Sequence, residues 1–322
     1  MHDLATLTLN PAVDVSTRVA CVAPVHKLRC SAGVWHPGGG GINVARVAHR
    51  LGSRAVAVYP CGGVMGQALQ TLLSHDQLPQ HPVTTGQETR QNFSVHETDT
   101  GQDFRFVLPG PELSDQELQA CTNAWLQHVS EATHAVISGS LPLGVADDVY
   151  ARLAQRVQAQ GRRVILDASG AALQQALKVG VEMVKPSLRE LSELVGHPLP
   201  DLSAWREAAA SLVEQQHARV VALSLGEQGA LVVTRQQHWL APALPVTVRS
   251  TIGAGDSFLG GWLHGWRQHD ERARDSQEGI ESAFRWAMAT AASAVSSYGT
   301  ALCDPQQVQQ WLSQVKIERL QR

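Results

Sequence analysis

The sequence predicts an α/β fold: a mostly parallel sheet covered by helices on both faces, three layers in all, with a smaller sheet added to it. Three observations lead there. Apolar runs of strand length alternate with helix-length segments along the chain. The 322 residues, 43% hydrophobic and 17% charged, suffice for one large core. No internal repeat or low-complexity linker divides them, so a single domain over residues 1–322 is expected.

The strand-length runs fall at 4–9, 55–59, 135–138, 164–167, 183–184 and 220–223. Each is short, continuous and rich in Val, Leu, Ile or Ala, the composition of a parallel strand buried on both faces. Helical periodicity lies between them at 42–51, 67–73, 147–160, 188–194 and 204–215, with later helices at 258–266 and 283–295. Two regions break the alternation. Residues 16–35, and 90–108 with its Asp99-Thr100-Gly101 turn, read as strands in hairpin-like order. They flank the first βαβ unit, so they form an insertion: a β-sheet lid over about 15–36 and 88–109, suited to covering an active site. The charged stretch 268–279 is expected to be an exposed loop.

Composition narrows the partners. A net charge of -3 supplies no basic field for nucleic acid and no polybasic patch for a membrane surface, which favours a small molecule. The five cysteines are odd in number and scattered, with no Cys-x-x-Cys pair, so neither a disulfide scaffold nor a structural zinc site is indicated. No signal-peptide order is visible, and the most apolar helix is short and holds Arg285. A reducing cytoplasm is the expected location. No lysine follows a glycine, which excludes a Walker A loop.

The most informative segment is Ser250-Thr251-Ile252-Gly253-Ala254-Gly255-Asp256-Ser257. Its glycines precede a helix whose first N–H groups point back to the loop and carry the positive end of the helix dipole, so an anion belongs there. On this octapeptide alone, Asp256 is either a general base or an N-cap. In Pro37-Gly38-Gly39-Gly40-Gly41-Ile42-Asn43 a second backbone surface opens at a helix N-terminus, with Asn43 in the first turn. Four successive glycines are costly to order, which favours a ligand-holding loop over a flexible one. Asp14 follows the first strand, at the end where open α/β sheets bind ligands, although a turn or cap residue is the simpler local account.

Lys27 and Arg29 open one expected lid strand and Arg90 another. They would supply cations for a sugar phosphate, or serve only as edge-strand charges. Lys185-Pro186-Ser187 with Glu190 starts a helix, where the carboxylate either organises water on Mg²⁺ or completes a capping box. The turn Ser224-Leu225-Gly226-Glu227-Gln228-Gly229 is either a backbone approach to a nucleotide or a plain hairpin.

Together, Thr251-Ile252-Gly253-Ala254-Gly255-Asp256-Ser257 and Gly39-Gly40-Gly41-Ile42-Asn43-Val44-Ala45 resemble the ribokinase-like sugar kinases, the PfkB family, over nearly the whole chain. Residues 7–14, 27–30, 37–46, 89–92, 104–107, 138–142, 184–186 and 224–226 are most similar to the branch acting on fructose 6-phosphate. The resemblance implies a ribokinase-like three-layer sandwich with a lid, and phosphorylation of the 1-hydroxyl of fructose 6-phosphate by ATP and Mg²⁺. Tagatose 6-phosphate and fructose 1-phosphate are the neighbouring substrates, and a catalytically weak sugar-phosphate-binding regulator is the alternative of another class.

By match of motif, Asp256 is the base, and the N–H groups of Gly253, Ala254 and Gly255 form an anion hole. Asp14, Gly39, Gly40 and Asn43 would hold the sugar, while Lys27, Arg90 and Ser140 contact it or its phosphate. Lys185, Ser187, Ser224, Gly226 and Gly229 match the ATP-binding segments, with Glu190 holding Mg²⁺ through water. A potassium ion would sit among carbonyls around Ser250, Ile252, Ser297 and Gly299. One position departs: the family usually has Asn where this chain has Ser187, which predicts weaker metal binding. Apolar lid positions Phe93, Val95, Phe104 and Phe106 predict a homodimer pairing lid on lid.

Overall fold

A computed structural model describes residues 2–269, 273–274 and 276–321. The chain enters through β1 (His2–Leu7), β2 (Ala12–Val19) and β3 (Val34–Gly38), then α1 (Gly40–Arg50), β4 (Ala55–Cys61), α2 (Gly63–His75) and β5 (Gln80–Thr84). A hairpin of β6 (Arg90–Glu97) and β7 (Asp103–Phe106) follows, then α3 (Asp115–Glu131) and β8 (Ala132–Ser138). Next come α4 (Val149–Gln158), β9 (Val164–Asp167), α5 (Gly170–Val179), β10 (Val181–Val184), α6 (Leu188–Val195), α7 (Leu202–Glu214) and β11 (Ala218–Ser224). The last part holds β12 (Ala230–Thr234), β13 (His238–Ala241), α8 (Ala254–Arg267), α9 (Gln277–Val295), α10 (Pro305–Leu312) and β14 (Glu318–Leu320).

The main sheet runs β14-β13-β12-β11-β10-β9-β8-β1-β4-β5. From β11 to β5 every neighbouring pair is parallel, and β12, β13 and β14 add an antiparallel edge. Its central strands are buried on both faces, as their unbroken apolar runs require. One face carries a core built with α3, α4, α5 and α7, including Trp125, Tyr150 and Leu173. The other packs α1, α2, α8, α9 and α10, including Ile42, Trp262 and Phe284. Helices on both faces leave the strand ends as the natural site for ligands. Among the described residues, no helix is long and apolar enough to cross a membrane.

The smaller sheet has the order β3-β2-β6-β7, with β2 and β6 parallel and both outer pairs antiparallel. It differs from the expected strands in two ways. Residues 20–33 are irregular and exposed for the most part, so Lys27 and Arg29 lie in a loop and open no strand. The sheet also starts earlier, at Ala12, which lifts Asp14 off the end of β1 and into β2. Residues 8–11 make the short corner between the two strands, and the paired register of β2 with β6 begins at Ala12↔Arg90. Of the loop expected over 268–279, residues 270–272 and 275 lie outside the described residues, and α9 begins already at Gln277.

Register divides the small sheet into two unlike faces. Trp35, Val15, Phe93 and Phe106 pair in one apolar row across all four strands, and Trp35, Phe93 and Phe106 are 42%, 39% and 53% exposed. The opposite face is polar: His36, Asp14 and Asn92 form one row, and Ser16, Ser94 and Arg105 the next.

Candidate active site

Two helix N-termini meet at this polar face. The first belongs to α8, whose N-cap Gly253 has φ 75°, a left-handed conformation that a side chain would strain. A Cβ there would also come within 2.7 Å of Leu302. The first-turn N–H groups of a helix lack intrahelical acceptors, and the Ala254 N–H reaches only the Thr251 carbonyl at a long 3.4 Å. The second belongs to α1, capped by Gly39 at φ 117°, with no room for a Cβ between Thr8 and Pro11. Gly40 packs as closely on Ser138.

A side-chain bond joins these helices across 213 positions of sequence: the Asn43 amide donates to Asp256 Oδ2 at 2.9 Å. The Asp256 carboxylate thus faces the glycine bed around position 39. Behind it, Lys185 at the end of β10 pairs with Asp167 at the end of β9 at 3.1 Å. The Lys185 Nζ would lie only 3.0 Å from a Cβ placed on Gly255, so the ammonium backs the opening turn of α8. Burial pushes the Asp256 carboxyl up to about 6, with help from the Asp167 charge, against the Asn43 hydrogen bond, Lys185 and Arg105. Burial also raises Asp167, opposed by Lys185. It disfavours the Lys185 ammonium, yet Asp167, Asp256 and Glu190 together hold that pKa above its ordinary value.

On the small-sheet side, Asp14 Oδ1 accepts from Asn92 at 2.8 Å. Arg90 spends its guanidinium on the carbonyls of Asn10, Pro11 and Leu108. Ser140, at the mouth, accepts from Asn10 at 3.2 Å. Lys27 is exposed in the irregular 20–33 segment and contributes no contact to this group. Two residues of the site were not singled out from the sequence. Asp167 had one signal, an acid ending a buried strand. Arg105 had only its place in the 104–107 segment of the resemblance, since an arginine on a short edge strand otherwise reads as an ordinary surface charge; it lines a small pocket with Asp14, Asn92 and Ile252.

The proposed nucleotide segments lie at the ends of β10 and β11, where Ser187 and Ser224 form an isolated parallel bridge. Ser187 caps α6 in a full capping box: its hydroxyl accepts from the Glu190 N–H, and Glu190 Oε2 accepts from the Ser187 N–H at 2.8 Å. The other Glu190 oxygen takes no protein bond among the described residues, so it can order water around a divalent ion. Gly226 opens a 3-10 turn and Gly229 closes it, joining β11 to β12 as a hairpin. Ser250, Ile252, Ser297 and Gly299 line one cleft of about 580 Å³ with Ser16 and Arg18 of the small sheet. Next to Gly299, the Thr300 hydroxyl is buried without a partner among the described residues, an oxygen donor of the kind a hard cation accepts. In the same cleft two guanidiniums approach the Tyr298 ring, Arg18 at 3.8 Å and Arg249 at 4.9 Å from its centre.

The model of the pfkB family carbohydrate kinases matches residues 7–307. The chain is 41% identical over 267 residues to the ATP-dependent 6-phosphofructokinase isozyme 2 of Mycobacterium tuberculosis, covering 82% of this chain and 78% of that one. It is 39% identical over 317 residues to the protein of that name from Escherichia coli, covering 97% and 100%. Crystal structures of phosphofructokinase-2 from Escherichia coli with fructose-6-phosphate and with potassium match with TM-scores of 0.86 and 0.87 at 37% and 38% identity, covering 98% of this chain and 99% of theirs.

Proposed function

The chain belongs to the pfkB family of carbohydrate kinases, and from that premise we propose that it transfers the γ-phosphoryl group of ATP to the 1-hydroxyl of fructose 6-phosphate. The observation that carries the reading is the Asn43–Asp256 bond at the opening of α8. It sets a carboxylate, a glycine bed for a sugar and an amide-lined helix end side by side. Asp256 takes the proton of the 1-hydroxyl as that oxygen forms its bond to phosphorus and the bond to the ADP oxygen breaks. The N–H groups of Gly253, Ala254 and Gly255, backed by the Lys185 ammonium, neutralise the charge on the transferring group. Asp14, Gly39, Gly40 and Asn43 hold sugar hydroxyls, Ser140 faces the sugar, and Arg90 acts on its phosphate, which Lys27 would reach only if the exposed 20–33 segment folded over the site.

ATP lies along Lys185, Ser187, Ser224, Gly226 and Gly229. Mg²⁺ would be held through water by Glu190, where it neutralises phosphate charge, and K⁺ by Ser250, Ile252, Ser297 and Gly299. The small sheet acts as a lid that excludes water from the transfer. The reading is tested by relative turnover on fructose 6-phosphate, tagatose 6-phosphate and fructose 1-phosphate, with and without potassium. Fructose 6-phosphate is expected to give the highest kcat/KM, and preference for either other sugar reassigns the substrate.

Two further results are expected. The base must be ionised to act, so kcat/KM should fall about tenfold per pH unit below about 6 and level off above it. A pH profile flat through that range would remove Asp256 from the role. The exposed row of Trp35, Val15, Phe93 and Phe106 is an apolar face fitted to a copy of itself, which makes a homodimer through the lids the expected state. Sedimentation of a monomer at micromolar concentration would contradict it.

A further inference from the structure

Asn43 has two orientations, and only one presents an N–H to Asp256. A carboxylate accepts only, and a guanidinium donates only. The Arg46 Nη1 lies 3.3 Å from Asn43 Oδ1, one helical turn along the same face of α1. The same guanidinium donates to the carbonyls of Pro37 at 3.2 Å and Thr300 at 3.4 Å, and its Nε pairs with Asp76 at 2.6 Å. Arg46 is 2% exposed, and Asp76 is held in turn by Arg50. We infer that Arg46 is a positioning residue for phosphoryl transfer: by fixing the Asn43 carboxamide oxygen it turns the amide N–H onto Asp256, and it ties the chain before the glycine bed to the loop after Gly299.

The inference rests on Asp256 acting as the base. With Arg46 gone, the Asn43 oxygen is free to swing toward the carboxylate, which favours the protonated acid and leaves less of the ionised base at a given pH. The other charges facing Asp256 are Lys185, Asp167 and Arg105, none of which touches Arg46. Those facing Arg46 are Asp76, Arg50, Asp14 and His36. Burial, with Arg46 and Arg50, pushes the His36 ring down to about 4, so it stays neutral across the range that matters.

The experiment measures the pH profile of kcat/KM, with thermal stability, for Arg46→Lys, Arg46→Met and Asn43→Ala. Arg46→Lys keeps the charge opposite Asp76 but cannot serve four acceptors in one plane. The acid limb of both Arg46 variants should move up by about one pH unit, and Arg46→Met should add no shift in an Asn43→Ala background. Lower stability with an unmoved acid limb in folded Arg46→Lys would reduce Arg46 to a structural support and overturn the inference; this variant decides if Arg46→Met does not fold. Should Asp256→Asn keep its turnover, the assignment of the base fails instead, which separates the two outcomes.

Discussion

Asp256→Asn is expected to lower kcat by about two to four orders of magnitude while leaving the affinity for fructose 6-phosphate within a few-fold. The amide keeps the shape of the side chain but cannot take a proton. Stability should move the opposite way. The folded protein holds the Asp256 proton more tightly than the unfolded chain, with a carboxyl at about 6 against 3.8, so this contribution is fully present below the unfolded value and lost as pH rises through 6. At neutral pH the ionised group costs about 1–3 kcal/mol, which the neutral amide removes. Denaturant unfolding should therefore show the variant more stable at about pH 7 and nearly equal to the parent at about pH 4. A variant that is inactive and also less stable at neutral pH would place the carboxylate in a structural role.

Lys185→Met is the second large effect, and it strikes folding and catalysis together. Lys185 is 7% exposed and Asp167 16%, at 3.1 Å, so removing the cation leaves a carboxylate in a site with little water to replace its partner. A loss of about 3 kcal/mol is expected. Adding Asp167→Asn removes the orphaned charge and should restore much of that stability. Turnover should stay low by about a hundredfold or more in both variants, because neither has the ammonium behind Gly255. Full recovery of activity in the double variant would show that Lys185 serves only to balance Asp167.

The parallel core was legible because its strands are unbroken apolar runs buried on both faces, as β4 is at every position. Other elements hid for physical reasons. Helix α3 buries Cys121, Thr122, Trp125, Leu126 and Val129 within 17 residues, most of the others polar, and its clearest mark is the Ser114–Glu117 capping box. β5, Gln-His-Pro-Val-Thr, is an edge strand with little apolar pattern, and β14 has three residues. Within the site, contiguous motifs were readable, since the glycine loops carry their own backbone requirements. Pairings between distant segments were not: nothing local to Asn43 names Asp256, and nothing local to Lys185 names Asp167. Lys27 was read as opening a strand, but the segment around it contains Pro24 and Gly33 and finds no strand to pair with.

The stacking of Arg18 on Tyr298 couples parts that would otherwise be separate. Arg18 rides on the small sheet, whereas Tyr298 stands between Ser297 and Gly299 at the rim of the main body. Sliding the sheet away must unstack a guanidinium from a phenol ring, at about 0.5–2 kcal/mol. On the proposed reading, in which a bound sugar draws the sheet inward, the closed sheet would hold Tyr298 at the rim in place through Arg18.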